Sequence, residues 1–160
     1  MQKILVMVVC LAVVTAASLA GIGHATAAPI QYLSTTGNNF GTFGNHSFCR
    51  GSLHIGLDAP AGKRGIVRVT ATSHGFTGNG PSWKRNPHCK LLINNVYTGG
   101  RGLYRDKWVT AVFGPRAGEK KSWDVPTGSG LVVFTVNTHA DAGAVRPMQS
   151  YGFGAYVLVP

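Results

Sequence analysis

Cys89, His139 and Met148 follow one another in the order of a copper centre made from Cys, His and an axial Met. The 50 positions between Cys89 and His139 far exceed the single short ligand loop such centres use, and Cys89 has a better partner in Cys49. The remaining histidines of the expected domain, His46, His54, His74 and His88, show no H-x-H or H-E-x-x-H spacing that would hold zinc. Acid–base hydrolysis of a glycan needs two facing carboxyl groups. The chain has only Asp58, Asp106, Glu119, Asp124 and Asp141, most of them in turn-like segments beside a cation. Gly128-Ser129-Gly130 reads as a hairpin turn, and no G-x-S-x-G elbow or phosphate-cradling loop is present. The sequence therefore predicts a protein without catalytic residues, metal or cofactor.

What remains is binding, and one stretch concentrates the residue types for it. GPSWKRNPHC, residues 80–89, sets Trp83, Lys84 and Arg85 between Pro81 and Pro87 and ends on Cys89. Trp and Arg are the side chains that most often carry interface energy. Two prolines and a tethered base lower the entropy cost of presenting them. The alternative is that Trp83 folds back over the end of its own domain, leaving Lys84 and Arg85 solvated.

The chain that must position this loop begins with a leader. Lys3 precedes an apolar run from Ile4 to about Leu19, followed by Ala25-Thr26-Ala27, the layout of a secretory signal peptide cleaved after Ala27. Residues 1–27 are thus expected to be removed, leaving a secreted protein with no stable membrane insertion. Cys49 and Cys89 then form an even pair, which in an exported protein predicts a disulfide. Closing that loop stabilises the fold by about 3–4 kcal/mol in the chain-entropy model. Residues 28–160 carry 14 Lys and Arg against five acids. So basic a domain favours an anionic partner, here a protein with an acidic surface or an open sheet edge. The cations are dispersed in pairs, which argues against a nucleic-acid-binding tail.

Short β-branched and aromatic runs with period-two alternation recur between Gly, Pro, Asn and Asp clusters. Seven strands are predicted: 48–57, 65–73, 90–98, 107–113, 121–125, 131–138 and 151–159. In the second, Val67, Val69 and Ala71 share one face; in the sixth, Val132, Phe134 and Val136 do. The expected fold is all-β, a single immunoglobulin-like sandwich of about seven strands over residues 48–160, closed by one disulfide. Alternate connections then emerge at the same end. One end gathers 74–88, 114–121 and 139–149, adding Arg116 and Arg146 to the Trp83 loop.

Residues 28–47 differ, being rich in Gly, Asn, Ser and Thr with isolated aromatics. They read as a flexible N-terminal arm in which Ile30, Tyr32 and Leu33 could add a strand to a partner. Phe40 and Phe43 could instead cover their own sandwich. An exported chain with such an arm, APIQYLSTTGNNFGTFGNHSF, followed by one small basic β-domain, resembles the small adaptor of bacterial umbrella toxin particles. The resemblance lies in layout and carries over no residue. It implies a component that joins a lectin-bearing subunit to a toxin stalk by inserting its terminal extension into a partner cleft. The expectation is a secreted, non-catalytic adaptor that assembles with other secreted proteins, through the arm and through Trp83, Lys84, Arg85, Arg116 and Arg146. The alternatives are an inhibitor or antibacterial effector acting on an acidic protein, and a lectin-like or polyanion-binding module. Few aromatics sit in loops, which counts against the last.

Overall fold

Alternation of apolar and polar residues becomes two antiparallel sheets in the computed structural model, which describes residues 27–99, 102–141 and 145–160. The leader, apart from Ala27, and Arg101 lie outside the described residues. Strands make up 64% and helix 5% of the described residues, so the class is all-β. In chain order the strands are β1 (Ala28–Pro29), β2 (Gln31–Ser34), β3 (Asn39–Phe43), β4 (Arg50–Ala59) and β5 (Ile66–Thr77). A single-turn helix, α1 (Gly80–Arg85), precedes β6 (Cys89–Thr98), β7 (Tyr104–Phe113), β8 (Lys120–Pro126), β9 (Gly130–His139) and β10 (Met148–Val159). Strands β4 to β10 are the seven that the sequence predicts.

The first sheet runs β1–β4–β5–β8, with β3 pairing β4 as well. The second runs β2–β10–β9–β6–β7. Val67, Val69, Ala71, Val132, Phe134 and Val136 all point into the space between the sheets and are buried, as their alternation predicts. Phe76 stacks on Phe113 at 5.8 Å, linking the layers, and Tyr97 stacks on its cross-strand neighbour Phe134 at 6.4 Å within the second sheet. Cys49, just before β4, bonds Cys89 at the start of β6. The disulfide therefore staples one sheet to the other, and both sulfurs' residues are fully buried.

The segment 28–47 is not a free arm here. Its residues pair within the fold: Ala28 and Pro29 with Ala59 and Asp58, residues 31–34 with 158–155, and residues 39–43 with 54–50. The physical reason is that its sparse apolar residues fall on alternating positions, so each short strand can bury one side. Ile30 is only 7% exposed, Phe40 8%, and Tyr32 meets Phe153 edge-on at 5.8 Å. Asn38 donates to the Tyr32 hydroxyl and to the Ile55 carbonyl at 2.9 Å, bridging the two sheets where the chain crosses between them. The segment thus supplies edge strands to both sheets.

Alternate connections do share ends. The turn after β7 reaches β5 through Phe76 N–H to Gly114 O (3.1 Å) and Gly118 N–H to Ser73 O (2.7 Å), beside the disulfide. At the opposite end Gly65 N–H bonds Pro160 O (3.0 Å), and Gly128 N–H bonds Gly65 O (2.9 Å).

Candidate interaction surface

Three surfaces follow from this frame: the disulfide end, the outer face of the first sheet and the outer face of the second.

At the disulfide end, a tight turn returns the chain from β3 to β4. Gly44 N–H bonds Cys49 O at 2.8 Å and Cys49 N–H bonds His46 O at 2.9 Å. A Cβ on Gly44 would run into both cystine sulfurs, so glycine is required there. Ser47 and Phe48 both adopt positive φ, 52° and 50°. For residues with a side chain this left-handed conformation costs about 1–2 kcal/mol each. The outcome is an aromatic held outward: Phe48 is 63% exposed, its ring 5.5 Å from that of Phe43, with the Arg50 guanidinium 5.6 Å over it. Asn79 locks the turn by donating its N–H to Ser47 O at 2.8 Å. Beside Phe43 and Arg50, a shallow depression of about 520 Å³ runs along Gly51 and Gly75.

The residues predicted from 80–89 lie next to this pair, on and around α1. Trp83 is half-buried and packs against the core; a Cβ on Gly78 would lie 2.6 Å from its indole. It is therefore the fold-back plug, and the His46 ring sits 6.2 Å from it. Lys84 and Arg85, in the helix's last turn, are exposed, as is Arg116 on the turn after β7. Among the described residues none of Arg50, Lys84, Arg85 and Arg116 forms an ion pair. The nearby acids are engaged: Glu119 Oε2 accepts from Gly114 N–H at 2.9 Å, and Asp141 pairs with Lys90 at 3.6 Å. This end is an unopposed positive field around exposed aromatics.

The first sheet's outer face is polar. Arg68 donates to both Asp124 oxygens, at 2.7 and 3.1 Å, and Lys63 adds 3.0 Å. Hydrogen bonds from Arg68, then Lys63, bring the Asp124 carboxyl down to about 2. Thr70 and Ser122 pair at 2.9 Å in the next row. These groups satisfy one another.

The second sheet's outer face is different. Strand pairing sets Leu33, Tyr156, Val133, Thr98 and Tyr104 in one row across all five strands. Leu33 is 69% exposed, Tyr104 75% and Tyr156 48%, with Leu158 and Leu131 paired and exposed alongside. A parallel row, toward the disulfide end, holds Asn137, Asn94 and Trp108. The Trp108 indole N–H donates to Asp106 at 2.6 Å, its ring meets His139 edge-on at 4.9 Å, and the Arg146 guanidinium lies 4.8 Å over it. Tyr151 leaves β10 at a bulge beside Asn137, whose Oδ1 accepts from Gly152 N–H at 3.3 Å, and is 89% exposed. Asn94 is buried, and its Oδ1 has no hydrogen-bond partner.

Of the predicted binding residues, Lys84, Arg85 and Arg116 share the disulfide end with Trp83. Arg146 leaves that group for the second sheet's face, because His139 Nδ1 and the Arg146 carbonyl meet at 2.8 Å and fold the loop back over Trp108. Ile30 and Tyr32 face inward, and Leu33 alone of its trio stays outside. Sequence reasoning missed Phe43, Phe48 and Arg50; the only sign was F-x₄-F-C-R closing on a cysteine. It also missed that Tyr104, Trp108, Tyr151 and Tyr156 share a face, since two strands from distant parts of the chain, β7 and β10, carry them. Among the described residues no three His, Cys, Asp or Glu side chains gather as a metal site. No family model matches the chain, and neither characterised proteins nor solved structures match it.

Proposed function

We propose that residues 28–160 act as a secreted, non-catalytic module with an immunoglobulin-like sandwich that docks an acidic protein at its disulfide end. The observation that carries this is the Phe43–Phe48 pair under Arg50. Two residues in left-handed backbone, clamped by the cystine, hold an aromatic out of water's favour, and the neighbouring Lys84, Arg85 and Arg116 have no acid of their own. Strain that holds an apolar ring outward is consistent with a partner that covers it. Exposed aromatics flanked by arginine have the composition of an interface centre, and surplus cations steer an acidic partner to it.

Deleting residues 28–45 would remove three strands and so would test folding rather than docking. The discriminating experiment is capture from native culture supernatant by the secreted chain, by Phe43→Ala/Phe48→Ala and by Lys84→Glu/Arg85→Glu. All three are checked for equal thermal unfolding. The expected result is one acidic protein retained by the parent and lost with either pair, its association rate falling steeply as salt rises. Equal capture by all three, or an association rate indifferent to salt, would overturn the reading.

A further inference from the structure

We infer that the outer face of the second sheet is a saccharide-binding platform for a neutral polysaccharide whose rings carry hydroxyl or acetamido donors. Three observations meet there. Four aromatic side chains project from one sheet face: Tyr104, Trp108, Tyr151 and Tyr156, three of them between 48% and 89% exposed. Beside Trp108 lie amides, Asn94 and Asn137, two rows from the tyrosine row, with Thr135, Val96 and Asp106 in the row between. The Asn94 Oδ1 is a buried acceptor with no partner, where the large majority of buried side-chain polar atoms have one. A buried acceptor without a donor costs about 1–3 kcal/mol, which a ligand N–H or O–H would recover.

Geometry and charge narrow the ligand. Tyr156 and Tyr104 are separated by three strand spacings of ~4.8 Å, about 14 Å, a span that suits a short run of sugar rings lying across the strands. The row from Leu33 to Tyr104 contains no charged side chain, so an anionic polymer has no particular purchase on it. Sugars present C–H faces to aromatic rings and hydroxyl or amide groups at their edges, the two features this face alternates. Trp108 is covered by Arg146 at 4.8 Å; a ring stacking there takes the place of the guanidinium, which then becomes a donor to the bound polymer. The first sheet's outer face, with its mutually satisfied Arg68–Asp124 and Thr70–Ser122 pairs, offers none of these features.

The test is co-sedimentation of the secreted chain with insoluble chitin, and with cellulose as the uncharged polymer lacking acetamido groups. It is run in about 1 M NaCl, where the Debye length is ~3 Å and charge steering is suppressed. Retention on at least one polymer is expected, weakened about tenfold or more in Tyr104→Ala/Tyr151→Ala through the loss of two aromatic contacts. Both tyrosines are exposed, so the double variant is expected to melt with the parent. Lys84→Glu/Arg85→Glu should sediment like the parent, which separates this site from the disulfide end. Absence of retention, retention that disappears with salt, or retention indifferent to the tyrosine pair would overturn the inference. So would loss of the supernatant partner in the tyrosine variant, since the face would then be a protein contact.

Discussion

Asp124 sits among groups that set a clear pH dependence. Its folded pKa, about 2, lies below the ordinary carboxylate value because Arg68 and Lys63 hydrogen-bond its charged form. A depressed folded pKa contributes stability that is present above pH ~4 and is lost as the pH falls toward 2. Being at the surface, the cluster is screened by water and salt, and its contribution is small. Asp124→Asn is therefore expected to lower the unfolding midpoint in denaturant slightly at pH 7. The gap to the parent should close as the pH approaches 2. A constant gap across that range would mean the loss is one of packing. The ion pairs themselves were not readable from the sequence, because Arg68 and Asp124 meet only through the β5–β8 register. Nor was the outward Phe48, since nothing in the types Ser47 and Phe48 announces left-handed backbone. Glycine at 44 and cysteine at 49 impose it through tertiary contacts.

Between elements, the side of the sandwich away from β2 is closed by polar atoms. Asn95, fully buried on β6, accepts from the Trp123 indole N–H at 2.9 Å and donates to Lys107 O at 2.9 Å, while Lys107 Nζ reaches Asp124 O at 2.6 Å. Edge strand β7 thus turns a lysine inward and ties it to edge strand β8 of the other sheet. An inward charge on an edge also discourages pairing with a second molecule. Asn95→Ala leaves the Trp123 donor and a strand carbonyl without partners. It is expected to cost about 2–4 kcal/mol in equilibrium unfolding; a cost below about 1 kcal/mol would show that water replaces the amide. Elements β4 to β10 were legible because most of them carry an alternating run that declares a buried side. Strands β1 to β3 were not. They are two to five residues long, in a segment rich in Gly, Asn and Thr, and they are strands only because β4 and β10 offer ladders to them. Helix α1, one turn with no buried residue, carries no amphipathic signal to read.

At the scale of the whole molecule, the positive field and the aromatic platform lie on different parts of one rigid body. The first occupies the disulfide end; the second spreads over one sheet face toward the far end. Taken together, the two proposals require a module so divided to hold an acidic protein and a polysaccharide at once. Chitin already loaded with the chain is expected to capture the acidic partner from low-salt supernatant to the same stoichiometry as the free chain. Competition between the two ligands would place them on one surface. The basic composition was visible in the sequence as a tally of residues, but its focus needed the fold, which sends Arg146 to one surface and leaves Arg85 on the other.

Strand β10 lies between β9 and β2, so its arrival completes the second sheet. Ser34 and Gly154 are joined across a separation of 120 positions. Contacts of that range form slowly, because a long loop must close before any pairing rewards it. A chain threading out of a channel would have no finished second sheet until residues 148–159 emerged. Cys49 and Cys89 would be free to oxidise before the second sheet had closed over them.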